Sequence, residues 1–331
     1  MTPKFDVLGI GLNATDTVLE LYEFPAYTGK VKFARELTMP GGQVTTALIT
    51  CARFGLRTKY IGTIGDDERG RIQFESMQGT GVDTSGIIVR RDCANQAAYI
   101  LVDRRTGERT ILWNRPECLR LNESEIREEE IASARLLHLD GYDTDAAAYA
   151  ARLAKHHQVQ VCVDVDEVYS GFERVLENLD YLVASSRWPS EWTSESDPFI
   201  ALAQVQAEYS LRVAAMTLGD RGALAVENNC WSYSPAFAVE CRDTTGAGDV
   251  FHGAFCYAVL QGMCVADALE FSNAAAALNC TAVGARGHIP TLPEIRELRD
   301  RAAQSTIARS ADADIAERIE ELRPQSASAH P

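Results

Sequence analysis

The sequence predicts an α/β protein in three layers: a parallel central sheet covered by helices on both faces, with a small β-sheet lid beside it. Three observations carry that reading. Short β-branched runs alternate with helical stretches long enough to cross back over a sheet. The strand runs are almost continuously apolar, as in Tyr181–Ala184, the pattern of strands buried on both faces. Two segments, Thr17–Met39 and Gln96–Trp113, break the rhythm and look antiparallel.

In chain order, strands are expected at Phe5–Asn13, Lys59–Ile64, Leu136–Leu139, Val159–Val165, Tyr181–Ala184 and Val213–Leu218. Helices are expected at Thr45–Phe54, Arg69–Gln78, Asp145–His157, Pro198–Ser210, Asp249–Gln261, Val265–Thr281 and Leu292–Gln304. Thr17–Met39 is apolar without a helical period and is interrupted by Pro25 and Gly29. Gln96–Trp113 reads as a hairpin, Ala97–Val102 and Arg109–Trp113 about a turn at Arg104, Thr106 and Gly107. A small sheet beside a binding crevice is a natural lid. Its apolar residues Tyr99, Ile100, Ile111 and Trp113 are expected to be exposed and point to a homodimer through the lid. The acidic run Glu123–Glu130 is expected to be a solvated helix face, Ser310–Glu321 an amphipathic helix and Arg323–Pro331 a disordered tail. The expected division is one domain over 1–308, with lid segments at about 14–40 and 92–115, then a helix and flexible tail over 309–331.

Composition bounds the function. With 46% hydrophobic and 24% charged residues, the 331-residue chain is ordinary globular protein, which excludes collagen, coiled coil and bulk disorder. Lys and Arg (32) against Asp and Glu (47) leave a net charge of −15. An acidic surface repels phosphate backbones and anionic lipid, so neither nucleic acid nor membrane is an expected partner. No apolar run is long enough to span a bilayer, and the N-terminus lacks the order of a signal peptide. The nine cysteines are dispersed, without a C-x-x-C pair or neighbouring histidines. They read as reduced, buried thiols of a cytoplasmic protein, and zinc is not expected.

Gly9-Ile10-Gly11-Leu12-Asn13-Ala14 matches a dinucleotide fingerprint, but that motif needs a helix at the glycines. Asp16–Phe24 instead reads as extended, so a nicotinamide site is not expected. Pro40-Gly41-Gly42-Gln43-Val44-Thr45-Thr46 places a Gly pair and hydroxyls at the start of an apolar helix. The strongest string is Asp243-Thr244-Thr245-Gly246-Ala247-Gly248-Asp249, which runs straight into an apolar helix. Gly246, Ala247 and Gly248 leave backbone N–H groups uncovered, and with the helix dipole they form an anion site. Asp249 is then held against that site as a candidate general base for a hydroxyl attacking phosphorus. Thr217-Leu218-Gly219-Asp220-Arg221-Gly222 ends an apolar strand, where open α/β sheets bind ligands. Gly284-Ala285-Arg286-Gly287 follows the Ala-rich helix that ends at Asn279, and a turn there is placed to shape an adenine pocket.

On these residues the chain resembles the PfkB/ribokinase family of carbohydrate kinases, over about 4–300. The resemblance rests on Gly11…Asp16, Gly41-Gly42, the hairpin, Thr217-x-Gly219, Asp243–Asp249 and Gly284-Ala285-x-Gly287. It is closest in style to the ketohexokinase and sulfofructose kinase branch. It implies a Rossmann-like (ribokinase-like) three-layer fold, ATP as phosphoryl donor, Mg²⁺, often a monovalent cation such as K⁺, and phosphorylation of a hydroxyl, a primary alcohol of a ketose or related sugar. By the same resemblance Asp249 is the base beside Gly246, Ala247 and Gly248. Asp16, Gly41, Gly42 and Thr46 belong to the sugar site; Thr217, Gly219, Gly222, Asn279, Gly284 and Gly287 to the nucleotide; and Asp243 to the cation.

Three departures stand out. Many relatives carry Asn where this chain has Thr46. The N-x-x-E stretch used for Mg²⁺ is here Ser185-Ser186-Arg187-Trp188. Arg115, Arg187 and Asp166 fall near expected strand ends, so a guanidinium either binds a substrate anion there or lies on the surface. A nucleoside kinase and a non-catalytic sugar or nucleotide sensor are the alternative readings.

Overall fold

The computed structural model describes residues 3–105, 109–304 and 312–322. Thirteen strands lie among the described residues: β1 (Phe5–Ile10), β2 (Ala14–Leu21), β3 (Phe33–Gly41), β4 (Thr58–Gly65), β5 (Val82–Arg90), β6 (Ala97–Asp103), β7 (Arg109–Asn114), β8 (Ala134–Leu139), β9 (Gln160–Val165), β10 (Tyr181–Ser185), β11 (Val213–Thr217), β12 (Ala223–Glu227) and β13 (Cys230–Ser234). Nine form the central sheet in the order β13-β12-β11-β10-β9-β8-β1-β4-β5. The strands from β11 to β5 pair parallel, and β12 and β13 are added antiparallel. The order reverses beside β1, whose neighbours are β8 and β4, and this is the topological switch where such sheets bind ligands.

Strand alternation feeds two cores. Val161, Val163 and Val165 of β9 enter the core that holds Ala146–Ala154 and Leu202. Cys162, between them, enters the opposite core with Val44, Leu48, Val250 and Leu269. Each of the seven expected helices is found within about two residues, including Gln43–Arg53, Ala247–Leu260 and Val265–Asn279. Edge strand β5 and the β12–β13 hairpin were not anticipated; Thr and Ser in the first, and Asn228-Asn229 between the other two, weaken the apolar signal.

The second sheet has the order β3-β2-β6-β7. It is not fully antiparallel as expected, because β2 and β6 pair parallel, Asp16 opposite Ala98. It carries its own small core of Val18, Ala98, Ile100 and Val102. Ile100 is therefore buried and not exposed, whereas Tyr99, Ile111, Leu112 and Trp113 stay between 42% and 55% exposed. Arg104 lies in the described hairpin end; Thr106 and Gly107 fall outside the described residues, as does the tail from Arg323.

Two further expectations are corrected, and the amphipathic C-terminal helix is found. Glu123–Glu130 is no continuous solvated helix: Glu130 is buried and pairs with buried Lys59 (2.8 Å). The C-terminal helix is Ala313–Leu322, and its Ile315 and Ile319 join the main core. The cysteines are not all reduced buried thiols. Cys93 and Cys118 are disulfide-bonded across 25 residues, and Cys230, Cys241 and Cys264 are exposed. The bond ties the chain entering β6 to the chain leaving β7, and closing a loop of this size stabilises by about 3 kcal/mol. No described helix is long and apolar enough to cross a membrane.

Candidate active site

The Ala247–Leu260 helix starts at Gly246, which has φ 77° and provides no side-chain cap. A Cβ at Gly246 would lie 2.4 Å from the Ala285 carbonyl oxygen, so glycine is required both for the left-handed turn and for the close approach. A Cβ on Gly248 would meet nothing within 4 Å. No side chain caps the first amides of the helix; the Ala247 amide donates to the Thr244 carbonyl (3.2 Å), and Gly246, Ala247 and Gly248 line open space, an arrangement that receives an anion. Asp243 fixes this loop. Its Oδ1 accepts from the Thr245 amide (2.9 Å) and hydroxyl (2.7 Å), and its Oδ2 from the Gly284 amide (2.8 Å).

The amides open into a cavity of about 1090 Å³ between the central sheet and the lid. Period-two alternation sends Arg109, Ile111 and Trp113 of β7, Ala98 and Ile100 of β6, and Ala14 and Asp16 of β2 into it. Gly42, Thr217, Gly219, Gly222, Gly246, Ala247, Gly248 and Asp249 line it as well. So do Asp164, Asp166 and Glu167, at and just beyond the end of β9.

The cavity is strongly acidic. Burial and then the charge of Asp164 raise the Asp249 pKa to about 7, against the opposing pull of His252. Burial and then Asp249 raise Asp16 to about 7, opposed by Arg286. Asp166 rises to about 6 through burial, Asp164 and Glu167. His252 Nε2 lies 3.1 Å from Asp164 Oδ1. Such a set poises a carboxylate as a proton acceptor and offers hard oxygen donors to a divalent cation.

Several residues proposed for contact with ligand lie behind the cavity wall. Thr46 is fully buried and does not line the cavity; its hydroxyl accepts from Arg286 Nε (3.2 Å). Gly41 is also set back: a Cβ there would strike Asp16 Oδ2 at 2.3 Å, so Gly41 makes room for that carboxylate. Arg115 is committed to Asp143 (3.1 and 2.7 Å) and to the Leu119 carbonyl (2.7 Å), leaving no free fork for an anion. Arg187 is 86% exposed and lies on the surface. Asn279 is buried, and its amide donates to the carbonyls of Ala285 (3.1 Å) and His288 (3.3 Å). Gly284 and Gly287 close that same turn, where added Cβ atoms would strike Met39 and the Val283 carbonyl. These three shape the turn under Gly246 and are not among the cavity-lining residues.

That turn carries a residue the sequence reading passed over. Arg286 donates to the Gly41 carbonyl (2.6 Å), Thr45 (2.6 Å), Thr46, Ser76 (2.8 Å) and Gln73 (3.3 Å). It is the cation that offsets both Asp16 and Asp249. Its signal was present as the variable position of Gly284-Ala285-x-Gly287. Asp164 and Glu167 gave none, being acids at the end of an apolar strand. Arg109 of β7 also lines the cavity.

The profile of the pfkB family carbohydrate kinases matches residues 5–292. The chain belongs to this family. It is thus a carbohydrate kinase, a phosphotransferase with an alcohol acceptor. This pfkB kinase is 28% identical over 283 residues to an ATP-dependent ribose-1-phosphate kinase from Halopiger xanaduensis, covering 85% of this chain and 93% of that one. It is 27% identical over 316 residues to a 5-dehydro-2-deoxygluconokinase from Bacillus licheniformis, covering 89% and 96%. The crystal structure of ribokinase from Thermotoga maritima superposes with a TM-score of 0.76 at 25% identity, covering 89% of this kinase and 99% of the ribokinase.

Proposed function

We propose that this pfkB kinase transfers the terminal phosphoryl group of ATP to a hydroxyl, a primary alcohol of a ketose or related monosaccharide, with Asp249 as base. The observation that carries the proposal is the juxtaposition of Asp249 with the first amides of its own helix, which no side chain caps, in one acidic cavity. A relative named as ATP-dependent supports ATP as the donor.

Asp16, in the cavity wall formed by the lid, accepts hydrogen bonds from sugar hydroxyls, and Gly42 lets the sugar approach the backbone. Asp249 takes the proton of the acceptor hydroxyl as its oxygen bonds to the terminal phosphorus and the bond to ADP breaks. The Gly246–Gly248 amides hold the charge on the migrating group. The Thr217–Gly222 turn lies along the nucleotide. Closure of the lid excludes water, which suppresses idle hydrolysis of ATP.

Mg²⁺ fits the donor set, because Asp164, Asp166 and Glu167 supply hard oxygens in place of the Asn and Glu that Ser185 and Trp188 replace. When bound, the ion neutralises phosphate charge. Asp243, expected beside a monovalent cation, has both oxygens engaged by loop donors, and no step is assigned to K⁺.

A coupled assay of ATP consumption over neutral and anionic monosaccharides and nucleosides tests the reading. Sugar-dependent ADP formation is expected, strongest with ketoses. Binding without turnover would identify a sensor, and turnover confined to nucleosides would move the assignment to a nucleoside kinase. The exposed Tyr99 and Leu112 fit a second copy of the lid. Sedimentation equilibrium should give a dimer, and Leu112→Glu a monomer; a wild-type monomer at micromolar concentration overturns the dimer.

A further inference from the structure

Behind the cavity, β8, β9 and the Ala247–Leu260 helix bring together three soft donors that the proposed reaction does not use. His138 of β8 pairs in register with Cys162 of β9, so both side chains point to the same face of the sheet. That face is covered by the helix, and Cys256 reaches down from it. The donor atoms of all three lie within 4.8 Å of one another, and each residue is fully buried. Cys256 Sγ is 3.7 Å from His138 Nδ1. Zinc–ligand bonds of about 2.3 Å to sulfur and about 2.0–2.1 Å to nitrogen place such atoms about 3.6 Å apart on a tetrahedral ion.

We propose that His138, Cys162 and Cys256 form a buried zinc site that pins the Ala247–Leu260 helix to the central sheet. Two thiolates and a neutral imidazole cancel the charge of a divalent ion. The same donors around monovalent copper leave a net negative charge in an apolar core, which is costly. Cys51 stays outside this donor set, its thiol donating to the Gly253 carbonyl (3.2 Å). Binding zinc releases the protons of Cys162 and Cys256 to solvent and breaks no covalent bond. The ligands are separated by 24 and 94 positions (138 to 162, 162 to 256), so the spacing that marks zinc sites in sequence is absent and the site was not expected.

The test is metal content. Full-length protein purified from zinc-supplemented cells and dialysed against a weak chelator should hold one zinc per chain by elemental analysis. Cys162→Ser and Cys256→Ser should lose it. His157→Asn, in the exposed Glu128–His156–His157 cluster, should keep it. Cobalt-loaded wild type should show thiolate-to-cobalt charge-transfer absorption, a readout that stands even where a serine variant fails to fold. Folded wild type that takes up neither metal, zinc retained in both serine variants, or a cobalt spectrum without the thiolate band overturns the site.

Discussion

Asp249→Asn should lower turnover by about 100-fold or more while sugar and ATP still bind. The amide keeps the size of the carboxylate and its place on the helix, but it cannot accept a proton. The same substitution should stabilise the ligand-free protein at pH 8. Asp249 and Asp16 have folded pKa values near 7, and Asp166 near 6, all above the ordinary 3.8. A carboxylic acid whose pKa is raised by folding contributes stability that is complete below its unfolded pKa. That contribution is lost as pH rises through the folded value. The stability of the free enzyme should therefore fall between about pH 4 and about pH 7, and remain low at pH 8. In Asp249→Asn one of these acids is gone, so the melting temperature should be higher than wild type at pH 8 and change less between pH 5 and 8. Steady-state kinetics, isothermal titration with sugar, and melting curves across that range check each part. Near-normal turnover removes Asp249 from its role, and a variant less stable than wild type at pH 8 shows that the carboxylate is not under strain.

Arg286→Met should destabilise the fold by about 2–3 kcal/mol, because half-buried acceptors lose a charged donor. The guanidinium is the cation offsetting Asp16 and Asp249, and the donor for Gly41, Thr45, Thr46 and Ser76. Burial lowers its pKa to about 10, against the raising effect of Asp16 and Asp249, so it remains charged at neutral pH. Methionine fills part of the volume but leaves the Gly41 carbonyl and the hydroxyls without their donor. The loss should be larger at pH 8 than at pH 5.5, because the two acids are then ionised without their cation. Arg286→Lys should recover part of it, since it restores charge but not the planar fork. Urea unfolding at the two pH values measures both effects. A change below about 1 kcal/mol, within reach of an ordinary surface substitution, would show that the guanidinium is dispensable.

The legible parts of this protein are those where local pattern and tertiary role coincide. Strands such as Tyr181–Ala184 are apolar on both faces because both faces are buried, so a run of apolar residues is enough to find them. Asp243–Asp249 is legible because an uncovered helix N-terminus requires small residues in sequence. Thr46 and Arg115 misled for the opposite reason. A hydroxyl at a helix start and a guanidinium near a strand end look alike whether they face a ligand or a partner. Only the positions of Arg286 and Asp143 decide that both are already engaged.

From its sequence alone the chain fixed its layers, the order of its helices and the placement of an anion-receiving loop before an acid. These depend on periodicity and on neighbours a few residues apart. Tertiary structure alone decided that Asp164, Asp166 and Glu167 share a cavity with Asp249, that the charge of Arg286 acts on both Asp16 and Asp249, and that Cys93 meets Cys118. It also decided that His138, Cys162 and Cys256 converge. Each of these is a contact between residues distant in the chain, set by strand order and register, and no local period encodes it.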